Sequence, residues 1–342
     1  MQWALNLIER GWIPDPLLRR GIRRLLETRI REISSDPDPT TQLVEQMRQS
    51  PLAIETETAN EQHYELPPEF FQLVLGSHLK YSCCYWPEGT TSLSDAEALA
   101  LELTTSRAEI EDGMEVLDLG CGWGSLSLWI AEHFTDCRVT AVSNSAPQGD
   151  FIRRRARSRG LANVEHLTDD MSHFQITGKF DRIVSVEMFE HMRNYSLLLE
   201  RVAGWLKPDG KLFVHVFCHC SRPYFFEDKG PSDWMARHFF TGGLMPSEHL
   251  MEQFEGPVQL DRRWRLNGQH YERTALAWLE NMDRHRDEIR GIFESVYGTD
   301  AEQWFHRWRL FFLACAELFG YKHGEEWFVS HSLWIPGEQA EA

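Results

Sequence analysis

The sequence predicts an α/β protein: a Rossmann-like, mostly parallel sheet with helices on both faces, plus an N-terminal helical extension and an inserted lid. Three observations predict it. From Glu111 onward, short apolar runs alternate with amphipathic stretches, the rhythm of β-α-β units. A glycine-rich turn, Gly120-Cys-Gly-Trp-Gly124, joins the first such run to the helix after it. Of the 342 residues, 42% are hydrophobic and 25% charged, an ordinary globular composition that excludes collagen-like, low-complexity and wholly disordered chains.

Leu17, Leu18, Ile22, Leu25, Leu26 and Ile30 recur at helical spacing. Arg19, Arg20, Arg23, Arg24, Arg29 and Arg31 occupy the other faces; they read as a solvated surface or as a contact for acidic partners or lipid head groups. Ser34–Thr40 has loop composition, and a second helix is expected over about Thr41–Arg48. Strands are expected at Glu115–Leu119, Arg138–Ser143, Val164–Leu167, Asp181–Val186 and Lys211–Phe217, with helices at Ser125–Phe134, Ala146–Arg159 and Asn194–Leu206. Lys207-Pro-Asp-Gly210 reads as a turn. Ser221–Arg265 is aromatic and aperiodic, a lid over the carboxyl ends of the strands. Helices follow at about Thr274–Ser295 and Ala301–Phe319, then a last strand, Trp327–Trp334. The organisation is thus an extension over 1–80 and a main domain over 81–342 carrying the lid at about 221–265.

The formal charge of −17 disfavours nucleic acid and anionic membranes as partners. Seven cysteines are too few for a disulfide scaffold, and none forms a CxxC pair, so no metal is expected and a reducing cytoplasm is. No apolar run approaches the roughly 20 residues of a spanning helix. Met1-Gln2-Trp3 opens without a basic stretch ahead of an apolar one, which predicts no secretory leader.

The chemistry concentrates at strand ends. Val116-Leu-Asp118-Leu-Gly120-Cys-Gly122-Trp-Gly124 follows a strand and opens a helix, and its third glycine comes one residue too early for a dinucleotide fingerprint. This form resembles motif I of class I S-adenosylmethionine-dependent methyltransferases. After the second strand, Ser143, Asn144 and Gln148 can hydrogen-bond ribose hydroxyls without contributing charge. After the third, Asp170 can accept from an adenine amino group while Met171 packs on the ring and Ser172 follows; the bland alternative is a carboxylate that caps a helix. After the fourth come Glu187, Glu190 and His191, two carboxylates and an imidazole that are hard to bury unless something cationic receives them. His191 as a simple helix-start residue is the competing reading.

Gln62-His-Tyr-Glu-Leu-Pro-Pro-Glu-Phe-Phe71, Leu79-Lys-Tyr-Ser-Cys-Cys-Tyr85, motif I, Glu187–His191 and Phe319-Gly-Tyr321 together resemble the cyclopropane fatty acid synthase superfamily, and within it the coclaurine N-methyltransferase-like branch. The resemblance runs over nearly the whole chain. It implies that Tyr81 and Ser82 close over S-adenosylmethionine, with Val116–Gly124, Ser143–Gln148 and Met171–Ser172 completing its pocket. In the N-methyltransferases, the residues matching Glu187, Glu190 and His191 lie at the acceptor amine. Lipid-cyclopropanating members usually have Gly at the position of Glu187, and hold bicarbonate with residues matching Cys83, Glu190, His215 and Tyr271. This chain mixes the patterns, and it has Phe217 where isoleucine is common in the lipid enzymes. Cys315 matches a cysteine once assigned a catalytic role; a buried helix cysteine needs none.

The reading that follows is S-adenosylmethionine-dependent N-methylation of a small aromatic or cyclic amine, with Glu190 and His191 assisting deprotonation. Of the aromatic lid residues Tyr224, Phe225, Phe226, Trp234, Phe239 and Phe240, one or two are expected to face substrate. The alternative is a methylene- or methyl-adding enzyme for unsaturated acyl chains, using bicarbonate as base and the arginine-rich helix as a peripheral membrane contact. A non-catalytic sensor of the methyl donor is disfavoured, since a sensor needs no base. The N-terminal helices would also suit a homodimer.

Overall fold

The computed structural model describes Leu5 and residues 7–35, 39–54, 66–228, 230, 233–254 and 256–337. The N-terminal tripeptide, part of the Ser34–Thr40 loop (36–38) and the start of the resembling segment (62–65) lie outside the described residues.

A seven-stranded sheet organises the chain, in the order β3 (Val164–Thr168), β2 (Arg138–Ser143), β1 (Glu115–Leu119), β4 (Phe180–Val186), β5 (Leu206–His219), β9 (Trp327–Pro336) and β8 (Val258–Leu266). β1 to β5 pair in parallel. β9 and β8 extend the sheet antiparallel. β1 and β4 are buried along most of their length because helices cover both faces, which is why they read as continuous apolar runs. Strand order reverses at β1: the chain first winds toward β3, then crosses to β4. The crevice at the carboxyl ends of β1 and β4 is the topological switch point where ligands bind in such sheets.

Ahead of the sheet lie α1 (Asp15–Ser35), α2 (Pro39–Gln49), α3 (Pro68–Val74) and α4 (Leu93–Arg107). Neither α3 nor α4 was legible as a helix; α3 is one short element held by burial of Phe70, Phe71 and Val74. Within the sheet, α5 (Ser125–His133), α6 (Ala146–Arg159) and α7 (Tyr195–Trp205) fall within a residue of expectation. Their starts are set chemically. Ser145 accepts from Gln148 N–H and Asn194 from Leu197 N–H, each a helix cap. Gly124, at φ +77°, starts α5 in a conformation that L-residues resist.

Three segments differ from expectation. Lys207–Gly210 lies within β5 as a bulge: the pairing jumps from Phe180/Leu206 to Arg182/Lys211, so the expected turn is folded into the strand. The single helix expected over Thr274–Ser295 is two, α9 (Gln269–Arg284) and α10 (Arg286–Tyr297). Between the buried Met282 and Ile289 every residue is charged or polar, so no apolar face carries a helix through His285. The aperiodic segment holds a small hairpin, β6 (Tyr224–Phe225) with β7 (Leu244–Met245), and a short α8 (Trp234–His238), but its end is β8, an edge strand of the main sheet.

α11 (Ala301–Gly320) anchors the largest core, packing Phe305, Trp308 and Phe312 against α3, α9 and α10. α1 lies on α11, where the buried Glu317 receives Arg19 (2.6 Å) and Arg23, while Arg29 pairs with Asp233 (2.9 Å). Three of the six arginines, Arg19, Arg23 and Arg29, therefore tie α1 to the rest of the fold. Among the described residues, no helix is long and apolar enough to cross a membrane.

Candidate active site

Three adjoining cavities open at the switch point, and Glu187 lines all of them. The first, about 580 Å³, lies between the Leu79–Ser82 segment and the glycine turn; Asp118, Gly120, Gly122, Trp123 and Ser125 line it. The second, about 690 Å³, is aromatic. The third, about 700 Å³, runs from Gly120 and Gly122 past Ser143, Asn144 and Gln148 to Asp170 and Met171.

The glycines of motif I do different things. All three have positive φ. A Cβ on Gly120 would lie 2.8 Å from Met188, and one on Gly124 would lie 2.6 Å from Ile152, so both serve close packing. A Cβ on Gly122 would meet nothing within 4 Å; Gly122 faces the first and third cavities. Gly124 lines neither. Asp118 is buried, its carboxyl pushed up to about 6 by desolvation and its Oδ2 accepting from Ser127 Oγ at 2.5 Å.

The elongated space formed by the first and third cavities suits a nucleoside with a charged amino-acid tail. Ser125 Oγ and Trp123 Nε1 in the first cavity, and Gln148 Nε2 in the third, are buried polar groups with no hydrogen-bond partner in the protein. Such groups are costly unless a ligand satisfies them. Tyr81 and Ser82 line the first cavity. Ser143 hydrogen-bonds His166 (3.1 Å) at the wall of the third. Asp170 lines that cavity while its Oδ1 accepts from Ser172 N–H (2.7 Å); Ser172 itself does not line it.

The aromatic cavity is walled by Phe217, Phe226, Phe240, Phe311, Phe319 and Trp278, with Tyr81, Glu187, Glu190, His191, Tyr271 and Cys315 as its polar or polarisable members. Of the six lid aromatics, two, Phe226 and Phe240, line it. Phe239 instead stacks on Phe311 at 4.3 Å, and Trp234 donates to Glu9. Burial holds Cys315 well protonated, which leaves it without nucleophilic character.

Glu187 sits at φ +50°, in the left-handed region, directly after β4. Its carboxylate accepts from Cys83 N–H (2.9 Å) and Tyr271 O–H (2.6 Å) and lies 3.1 Å from His215 Nε2. These are three of the four residues that the resemblance assigns to a bicarbonate. Here the carboxylate of Glu187 is the group that all three contact. Desolvation raises its pKa, opposed by Lys80 and by the Cys83 and Tyr271 hydrogen bonds. Glu190, fully buried, is raised well above the carboxylate range by desolvation and by Glu187, and its Oε2 has no partner. His191 is held down at about 4 by desolvation, so it is neutral at pH 7; it stacks on Phe240 (6.2 Å) and lines both the aromatic and the third cavity.

Some members of this cluster gave no sequence signal. Lys80 is buried and donates to Ser82 Oγ (2.5 Å) and Cys83 O (2.6 Å). His331 lies 2.8 Å from His215, and Arg107 3.0 Å from His331. Their partners are too distant in sequence for spacing to reveal them, although the Lys80-Tyr-Ser-Cys run flanks residues already singled out.

A family model described as mycolic acid cyclopropane synthetase matches residues 53–326. The chain is 39% identical over 340 residues to (S)-coclaurine N-methyltransferase of Thalictrum flavum subsp. glaucum, covering 96% of this chain and 94% of that protein. It is 37% identical over 339 residues to (S)-coclaurine N-methyltransferase of Papaver somniferum, covering 96% and 97%. The crystal structure of coclaurine N-methyltransferase bound to N-methylheliamine and SAH is similar with a TM-score of 0.93 at 38% identity, covering 97% of this chain and 98% of that one.

Proposed function

The chain belongs to the mycolic acid cyclopropane synthetase family and is an S-adenosylmethionine-dependent methyltransferase, and from that premise we propose that it N-methylates a small aromatic or cyclic amine. The observation that carries the reading is the Glu187 carboxylate, which already meets Cys83, Tyr271 and His215, three of the residues that the resemblance assigns to a bicarbonate. S-adenosylmethionine supplies a methyl group made electrophilic by a sulfonium. The unpartnered Ser125, Trp123 and Gln148 groups and the open face of Gly122 are the residues we assign to holding it, with Tyr81 and Ser82 closing over it.

The acceptor is assigned to the aromatic cavity. Glu187, shared by all three cavities, attracts an ammonium and directs it toward the donor. An amine reacts only through a free lone pair, so its proton must leave. His191 offers a neutral imidazole on that wall, and Glu190, with its uncommitted Oε2, becomes a second acceptor when the bound ammonium's charge stabilises its carboxylate against desolvation and against Glu187. Phe226 and Phe240 exclude water and stabilise the cationic product by cation–π contact, about 0.5–2 kcal/mol each. For compartment, we place the enzyme in the cytoplasm on its cysteine usage.

The test is a mass-shift screen of amines and unsaturated phospholipids with labelled donor. Glu190→Gln and His191→Ala are expected to slow amine methylation by roughly 10²–10⁴-fold while leaving donor affinity unchanged. Wild-type rates in both variants would remove these residues from the mechanism. A gain of one CH₂ on acyl chains, with no amine methylated, would favour the lipid reading instead.

A further inference from the structure

One rung of the sheet runs from the protein surface to Glu187. Trp264 of β8 pairs with His331 of β9, His331 with His215 of β5, and His215 O accepts from Glu187 N–H (2.8 Å). Side chains on this rung form a second connection. Arg107, at the end of α4, lies over the Trp264 ring (5.2 Å) and reaches His331 Nδ1; His331 Nε2 reaches His215 Nδ1; His215 Nε2 reaches Glu187 Oε1.

The direction of this chain follows from its first member. A guanidinium has only donors. His331 Nδ1 must therefore accept, so the neutral ring carries its proton on Nε2 and donates to His215. His215 Nδ1 then accepts, and its own proton sits on Nε2, aimed at Glu187. Both rings are held neutral by burial. Neither can accept a proton from the active-site side without reversing every bond up to a group that never deprotonates, so the chain is no proton exit.

We infer that Arg107, acting through His331 and His215, is a positioning residue that fixes the hydrogen-bond direction onto Glu187 and keeps its carboxylate ionised toward the acceptor. The kinetic consequence rests on the amine reading above; the tautomers do not. The groups facing Glu187 are Lys80 and Cys83, Glu190 and His191, His215, Tyr271 of α9 and Cys315 of α11. Only the His215 bond depends on Arg107.

Nitrogen-15 NMR of histidine-labelled wild-type protein, without any acceptor, tests the direction. His215 and His331 are expected as Nε2–H tautomers at neutral pH; an Nδ1–H form at either overturns the proposal, whatever the substrate proves to be. For whichever acceptor is methylated, Arg107→Met is expected to move the acid limb of kcat/KM up by about one pH unit, a roughly tenfold loss on that limb, with convergence at high pH. Arg107→Lys, which also only donates, retains the wild-type limb. A uniform loss at every pH, or an unshifted limb in Arg107→Met, would reduce Arg107 to a structural role.

Discussion

Replacing Glu187 by glycine separates its two duties, charge and slot-filling. The carboxylate satisfies Cys83 N–H, Tyr271 O–H and His215 Nε2, all buried. Tyr271 can turn its hydroxyl, but the other two donors cannot turn. At about 1–3 kcal/mol per stranded buried donor, Glu187→Gly loses about 2–6 kcal/mol. Two gains oppose this. The left-handed φ of +50° becomes free of strain, roughly 1–2 kcal/mol, and a buried carboxylate is no longer desolvated. Strain relief alone leaves a loss of about 0–5 kcal/mol, which the relieved desolvation lowers further, so the thermal midpoint is expected to fall by a few degrees at most. Bicarbonate carries acceptor oxygens of the right shape for the vacated donors, so it is expected to raise the melting temperature of Glu187→Gly, while chloride at equal ionic strength does not and wild type responds to neither. Amine methylation should stay low in both conditions. The measurement is a thermal melt with paired salts. If the variant melts like wild type and ignores bicarbonate, the slot does not exist as described.

The glycine turn gives a contrast between ligand and packing roles. Gly122→Ala is expected to cost only about 1 kcal/mol of stability but to weaken donor binding measured by calorimetry, whereas Gly124→Ala, driven into Ile152, should lower the melting temperature more than donor affinity. Acid should destabilise the fold through buried and half-buried histidines. His191, His166 and His238 have folded-state values depressed from 6.5 to about 4, so their contribution is complete above 6.5 and is lost as pH falls through 4. His191→Ala should therefore show a shallower loss of melting temperature across that window. Glu317→Ala leaves Arg19 and Arg23 without their shared buried partner and should expose α1 to limited proteolysis with the sheet core intact.

What could be read from the sequence was whatever one chain segment determines alone. β1 to β5 and their helices were legible because apolar runs, caps and the Gly120–Gly124 turn are local signals. β8 was not, since Asp261-Arg-Arg-Trp-Arg265 falls in the segment read as an aperiodic lid and becomes a strand because β9 offers an edge to pair with. The site shows the same division more sharply. Glu187, Glu190 and His191 could be singled out by residue type, and His215 and Tyr271 by the resemblance, yet as a list they pointed to two chemistries, one needing an amine-facing carboxylate and one needing ligands for a free anion. In the fold the two sets are one cluster: His215 and Tyr271 bind the carboxylate of Glu187 itself. A cavity that must also admit a bicarbonate would leave those donors unsatisfied until it arrived. Here they are satisfied in advance, so the residues that looked like evidence for a second base instead support the first carboxylate. The register of β4 and β5, which no local signal encodes, sets His215 beside Glu187, and the packing of α9 brings Tyr271 to the same carboxylate.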